Sequence, residues 1–221
     1  MAIDAGLLRE LGSVLGPGLL STPAACVAYE CDALTAHRHP PDLVALPTSV
    51  EQVQQIVRIC HRHSVPVVAR GSGTGLSGGA LPVAGGLLLV LSRLNAILEV
   101  DPRRGLARVQ PGVTNLAVSE AAAPYGMYYA PDPSSQVACS VGGNVAENSG
   151  GVHCLKYGLT VHNVLAVKLV TMEGELLTLG SDDTIPADVL AYQLLVALVA
   201  PISGIRPALF APVLSGLTLD F

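Results

Sequence analysis

The residue pattern of this chain is that of an α+β protein, and three observations carry the reading. Helical periodicity is concentrated before His63, and strand-like apolar runs dominate after Val65. No strand–helix–strand unit recurs at a fixed spacing, as a repeating βαβ sheet would demand. Half of the 221 residues are hydrophobic and only 13% are charged, so buried surface suffices for one large domain or two small ones.

Residues 1–20 read as a short helix with Ile3, Leu7, Leu8 and Leu11 on its apolar side, closed by the breaker Gly16-Pro17-Gly18. A loop-rich approach follows, marked by Pro40, Pro41 and Pro47. Thr48 and Glu51 form a T-x-x-E capping box, and Val50, Val53, Ile56, Val57 and Cys60 share one face of the helix it opens. Val65–Ala69, Gly86–Leu91 and Leu106–Gln110 read as short strands. Residues 114–124 suit a helix, and Met127–Ala130 suits a strand entering the turn at Pro131. Val164–Thr171 and Glu175–Leu179 flank Met172-Glu-Gly-Glu175 as a hairpin.

Composition removes several function classes. A formal net charge of -5 leaves no basic stripe to displace counterions, which argues against nucleic acid as a partner. Two Phe, six Tyr and no Trp make base-stacking platforms unlikely companions of this fold. The five cysteines include no C-x-x-C pair, and the start has neither a basic n-region nor an apolar core of signal length. The expected setting is therefore the reducing cytoplasm.

Two glycine-rich loops carry the chemistry. The first is Arg70-Gly-Ser-Gly-Thr-Gly-Leu-Ser-Gly-Gly79. Gly73, Gly75 and Gly78 match G-x-G-x-x-G, and a strand precedes them, but Pro82 and Gly85-Gly86 leave no helix to follow, so a nicotinamide Rossmann site is disfavoured. A P-loop fails too, because no Lys-Ser or Lys-Thr closes the run. What remains is an anion-binding nest of backbone N–H groups, with hydroxyls from Ser72, Thr74 and Ser77 and a cation from Arg70. A flexible surface linker is the alternative use of such a run.

The second cluster starts at Pro131-Asp132-Pro133, a rigid turn, with Ser134 and Ser135 adding hydroxyls. Ser140-Val-Gly142-Gly143-Asn144 can present backbone N–H groups and an amide to the polar edge of a ring, and Asn148, Gly150 and Gly151 repeat that chemistry. A turn followed by a small-residue helix start is the competing reading.

These stretches resemble the flavin-binding domain of the vanillyl-alcohol-oxidase/PCMH superfamily, and within it the FAD-binding subunits of bacterial glycolate oxidases, also called glycolate dehydrogenases. The resemblance rests on Val67–Ala80, on Val109-Gln-Pro111-Gly112-Val113, on Tyr128–Gln136 and on the long run Cys139–Asn163, with Tyr29-Glu-Cys-Asp32 and Leu179-Gly-Ser-Asp182 in keeping. It covers residues 26–182 and implies two α/β subdomains with FAD bound between them. Residues 1–25 are then an N-terminal helix and lead-in, and residues 183–221 a divergent apolar tail.

The resemblance assigns pyrophosphate binding to Arg70, Gly71, Ser72, Gly73, Thr74, Gly75, Ser77, Gly78 and Gly79. It assigns ribityl and ring contacts to Pro131, Asp132, Pro133, Ser134, Ser140, Gly142, Gly143 and Asn144, and Pro111, Gly112, Asn148 and Gly151 are expected to bind the cofactor without a part of it being specified. Thr74 stands about where relatives with covalent FAD carry histidine, so non-covalent FAD is implied. The implied function is the FAD-binding portion of a flavin-dependent 2-hydroxyacid dehydrogenase, with glycolate or D-lactate as substrate. Its implied partners are an iron–sulfur subunit and a second flavin-type subunit, with peripheral attachment to the inner face of the cell membrane through them as the alternative to a free cytoplasmic setting.

The chain also departs from the family. The Gly-Ser-Glu-Gly-x-Leu-Gly segment that finishes the flavin pocket, and the second domain with its His-rich motif, do not follow Asp183. No catalytic residue is assigned for that reason, and the alternative is a truncated or frame-shifted FAD module without catalysis of its own. The uncharged run 189–205, interrupted by Pro201, reads as a buried helix or as a membrane span at the lower limit of length. His37/His39 and His61/His63 lack the neighbouring ligands a metal would need, so no metal is expected. His153 and His162 are better placed for flavin-edge contacts, with structural hydrogen bonding as the alternative. Lys156 and Tyr157 border the expected active-site mouth.

Overall fold

The computed structural model describes residues 4–181, and the backbone of 213–220. Most of the apolar tail, including the run 189–205, lies outside the described residues. Among the described residues no helix is long and apolar enough to cross a membrane.

Two sheets, each with its own core, form the two subdomains. The first has the order β1 (Leu19–Leu20), β2 (Leu43–Ala45), β4 (Leu87–Val90), β3 (Val67–Arg70). β2, β4 and β3 run parallel, and β1 is an antiparallel edge. Helix α3 (Val50–Arg62) crosses between β2 and β3, and α1 (Ala5–Leu15) packs beside it. Leu43, Ala45, Val67, Leu87 and Leu89 face these helices, where Val53, Ile56, Val57 and Cys60 are fully buried. Val44, Val68, Leu88 and Val90 pack on the opposite face with Cys26. Burial on both faces explains the unbroken apolar runs, which is how parallel strands read. This local βαβ unit sits inside the α+β class; the sequence left β2 as loop because three residues are too few to show a period.

Helix α3 is capped one residue later than the T-x-x-E pattern suggests. The Ser49 hydroxyl accepts from Gln52 N–H at 3.2 Å, while Gln52 Oε1 reaches back to the Thr48 N–H at 2.8 Å. The two halves of a capping box are thus shared between neighbouring residues. Helix α1 is capped by Asp4, whose carboxylate accepts from Leu7 N–H at 2.8 Å.

The second sheet is antiparallel, in the order β5 (Ile97–Asp101), β6 (Leu106–Val109), β9 (Val213–Asp220), β7 (Val164–Val170), β8 (Leu176–Gly180). Its core joins Ala107, Val109, Val164 and Val167 to Val118 of α4 (Asn115–Ala122) and Val141 of α5 (Val141–Glu147). The expected strand at Met127–Ala130 is absent. Instead, Tyr129 N–H donates to the Ser119 hydroxyl of α4 at 3.0 Å, so this segment is held by a helix side chain rather than a strand neighbour. Tyr129 itself is buried, and that burial pushes its phenol above the ordinary range. The β7–β8 turn ties the two halves together: Gly174 C=O accepts from Arg58 Nη2 at 2.7 Å and Gln54 Nε2 at 3.0 Å, both on α3.

Candidate functional site

The first glycine loop leaves the carboxyl end of β3, the end at which open parallel sheets hold ligands. Its N-terminal half is unlike its C-terminal half. From Gly71 to Ser77, no backbone N–H donates to an acceptor among the described residues. After that the loop is pinned by acids: Gly78 N–H donates to Asp32 Oδ2 at 3.0 Å, and the Ser77 hydroxyl donates to Glu147 Oε2 at 2.6 Å. Asp32 is buried, and its other oxygen, Oδ1, accepts from Leu34 N–H at 3.0 Å in its own segment, which fixes the carboxylate that holds the loop. Glu147 lies near the α-carbons of Gly75 and Gly79 and would repel an anion there. An anion is therefore directed to Gly71–Thr74.

Arg70 supplies the matching charge. The residue is 8% exposed, its guanidinium sits 5.9 Å from the Tyr29 ring centroid, and among the described residues its side chain donates only to Ala80 C=O, at 3.4 Å. No carboxylate lies within ion-pair distance among the described residues. Desolvation lowers its pKa, as expected for a buried cation without a close counter-ion. Gly73, at φ +71°, lies against the guanidinium, and any side chain there would collide with it.

The second cluster meets the first at one point. A Cβ on Gly71 would strike the Ser140 hydroxyl and approach Gly143 N to 3.7 Å. Ser140 is buried and is the N-cap of α5. The backbone donors expected from this segment are already spent: Val141 N–H binds Val113 C=O at 2.8 Å and Gly142 N–H binds Pro111 C=O at 2.8 Å. Gly143 N–H points to the Ser140 hydroxyl at 3.4 Å. Gly142 and Gly143 thus permit close packing, and it is Asn144 that retains a free donor. The residue is 3% exposed, and among the described residues its Nδ2 has no partner.

Pro111 and Gly112 join the subdomains, for a Cβ on Gly112 would lie 2.6–2.9 Å from the carbonyls of Leu91, Ser92 and Leu94. The Pro131–Ser134 turn makes no hydrogen bond to the first loop. Asn115, which the sequence did not single out, holds it through Nδ2 to Pro131 C=O at 2.8 Å. Asp132 lies against Gly151 and grips His153, with Nδ1 to Oδ2 at 2.7 Å. Asn148 takes the left-handed conformation at the end of α5, and its Oδ1 accepts from Val161 N–H at 3.1 Å. His162 is structural, its Nδ1 accepting from Leu159 N–H at 3.0 Å. His63 is engaged with Asp4 and Glu10.

A loop of unpaired N–H groups, a buried cation without a counter-ion and glycines where any Cβ would intrude suit a diphosphate-bearing ligand. Residues 41–180 match a family model described as an FAD binding domain. The chain belongs to this FAD-binding domain family. It is 61% identical over 175 residues to the glycolate oxidase subunit GlcD of Escherichia coli K12, covering 79% of this chain and 35% of that protein. The Bacillus subtilis subunit of the same name is 40% identical over 187 residues, covering 84% and 39%. A D-2-hydroxyglutarate dehydrogenase of Stutzerimonas stutzeri is 37% identical over 181 residues, covering 81% and 39%. The chain thus spans little more than a third of the length of these relatives. A solved structure of alkyldihydroxyacetonephosphate synthase superposes with a TM-score of 0.79 at 21% identity, over 99% of this chain and 40% of that one, which establishes the shared fold.

Proposed function

We propose that this chain is the FAD-holding portion of a flavin-dependent oxidoreductase of small 2-hydroxyacids, glycolate or D-lactate, working beside iron–sulfur and second flavin-type subunits. The observation that carries the proposal is the pairing of buried Arg70 with the unpaired N–H run Gly71–Thr74. Fixed donors that need no reorganisation favour a dianionic diphosphate over water. Ser72 and Thr74 add hydroxyls to that grip, and Asn144 Nδ2 offers a donor to the polar part of the cofactor. FAD, when bound, supplies two-electron oxidation chemistry; the protein holds, orients and shields it. Thr74 offers no imidazole for attachment, so the cofactor is non-covalent.

The test is visible absorbance of the purified chain after addition of FAD, followed by acid precipitation. Uptake of flavin colour, released to the supernatant on denaturation, is expected. Bleaching on anaerobic addition of glycolate or D-lactate would extend the result to catalysis by the chain itself. In Arg70→Met, FAD affinity falls by at least about tenfold, some 1.4 kcal/mol, while the apo protein is no less stable, because an uncompensated buried charge is removed. Unchanged FAD affinity in that variant would refute the assignment.

A further inference from the structure

The cation that suits a diphosphate is covered by a neighbouring segment of the chain, Tyr29–His39. This segment follows Cys26, which is buried against the parallel sheet. It rejoins that sheet just before β2, where Asp42 Oδ2 accepts from Gly85 N–H at 2.8 Å. Between these anchors the chain folds back on itself. His39 N–H donates to Glu30 C=O at 2.8 Å and Arg38 Nη1 to Glu30 Oε1 at 2.6 Å, which closes the base of a compact surface loop.

The inner side of this loop lies on the phosphate cradle. The Tyr29 ring centroid is 5.9 Å from the Arg70 guanidinium, Ala33 N–H donates to Gly75 C=O at 3.2 Å, and Asp32 Oδ2 accepts from Gly78 N–H. Burial lowers the Arg70 pKa, and Cys31, Asp32 and Tyr29 partly offset that effect, so all three lie within electrostatic reach of the guanidinium. The outer side is weakly held. No residue from Ala33 to Pro40 is buried, so closure rests on polar contacts near solvent, and such a segment opens far more readily than the core. Thr35 adds strain at the tip, being a β-branched residue at φ +58° with its side chain exposed.

We propose that Tyr29–His39 is a strap that opens as one unit to admit or release the diphosphate of the cofactor, and so sets the rate of cofactor exchange. Opening lifts Tyr29 from Arg70 and frees Gly75 C=O and Gly78 N–H together. The strap closes with the same contacts in the empty and the loaded protein. A change in its closure therefore scales association and dissociation by one factor and leaves Kd where it was, whereas a group that touches the cofactor shifts Kd. That the ligand is FAD rests on the function proposed above.

The experiment combines amide hydrogen exchange with FAD kinetics on the whole chain, using two variants outside the phosphate cradle. The amides of Ala33, Leu34, His39 and Gly78 should exchange with one shared opening constant. Arg38→Met loosens the base of the strap and should raise that constant by about two- to fivefold, the range for an exposed ion pair. Thr35→Asn, which tolerates positive φ, should lower it by about fivefold. FAD association, followed by flavin fluorescence on mixing, and FAD release after dilution should each change by the same factor as the amides, with Kd unchanged. Unaltered FAD rates in both variants overturn the proposal, as does a change in dissociation alone or independent opening of the four amides. The two readings separate by FAD uptake. Uptake with rates indifferent to the strap removes this proposal and leaves the flavoenzyme reading standing. Absence of uptake removes the flavoenzyme reading and the strap's part in cofactor exchange with it.

Discussion

Replacing Gly71 with alanine probes whether the two glycine clusters form one site. The new Cβ would occupy the space of the Ser140 hydroxyl, with Ser140 Cβ at 3.4 Å. Gly71 does not need a left-handed backbone, so the cost is steric rather than conformational. The Ser140 hydroxyl must move, and it is the cap of α5 in a buried setting. Loss of such a cap costs about 1 kcal/mol, and forcing a methyl into packed surroundings adds about 1 kcal/mol or more. Gly71→Ala is expected to destabilise by about 2 kcal/mol, lowering Tm by roughly 4–8 °C in a chain of this size, and to weaken FAD by more than about tenfold. Ser140→Ala alone forfeits only the cap, about 1 kcal/mol. In the double variant the methyl has room, so the total stays near that of Ser140→Ala, giving a coupling of about 2 kcal/mol. Thermal melts and FAD titrations of the four proteins are the assay. Additive losses would show that Gly71 and Ser140 do not touch and would remove the argument for one continuous site.

Two further outcomes follow from other groups. Asn144→Leu removes a buried donor that lacks a partner, so apo stability should hold or rise by up to about 1 kcal/mol while FAD affinity drops; a destabilised apo protein with unchanged FAD affinity would contradict this. The α1–α3 contact should depend on pH, because hydrogen bonds to Glu10 and Asp4 raise His63 above 6.5, while Glu10 and Asp4 lie below 4.5 and 3.8. The His63 contribution is complete below pH 6.5 and is lost as pH rises through the raised value; those of the two acids hold above their ordinary values and are lost as pH falls through the lowered ones. Amide exchange in α1, corrected for intrinsic rates, should be slowest near pH 4.5 to 6.5, and His63→Asn should flatten that profile.

Much of this architecture was readable because periodicity and glycine carry local physics. The face Val53, Ile56, Val57, Cys60 follows from helical spacing, and the Glu175 turn follows from the glycine at φ +75° between two apolar runs. Sheet partners were not readable. β5 alternates weakly and is largely exposed, and β9 gains its place only from neighbours far away in the chain. In the site, glycines flagged the loops but not their uses. The sequence offered the Gly142 and Gly143 N–H groups as donors, and only the fold reveals that carbonyls and a cap already claim them. Asn115 was not singled out, and Asp32 and Glu147 stood inside quoted stretches with no role given, because a lone polar residue declares no partner until distant segments meet.

The location of β9 has a consequence for how the chain is made. It stands between β6 and β7, yet it follows both of them, and β8, in the chain. The parallel sheet can form while synthesis continues, but the antiparallel one waits as two separate hairpins, β5–β6 and β7–β8, with bare edges facing each other. Bare edges recruit strands from other nascent chains. Any nonsense or stalling event before residue 213 therefore releases a product whose cofactor loops are complete but whose second sheet is open in the middle, and such a product is a template for aggregation.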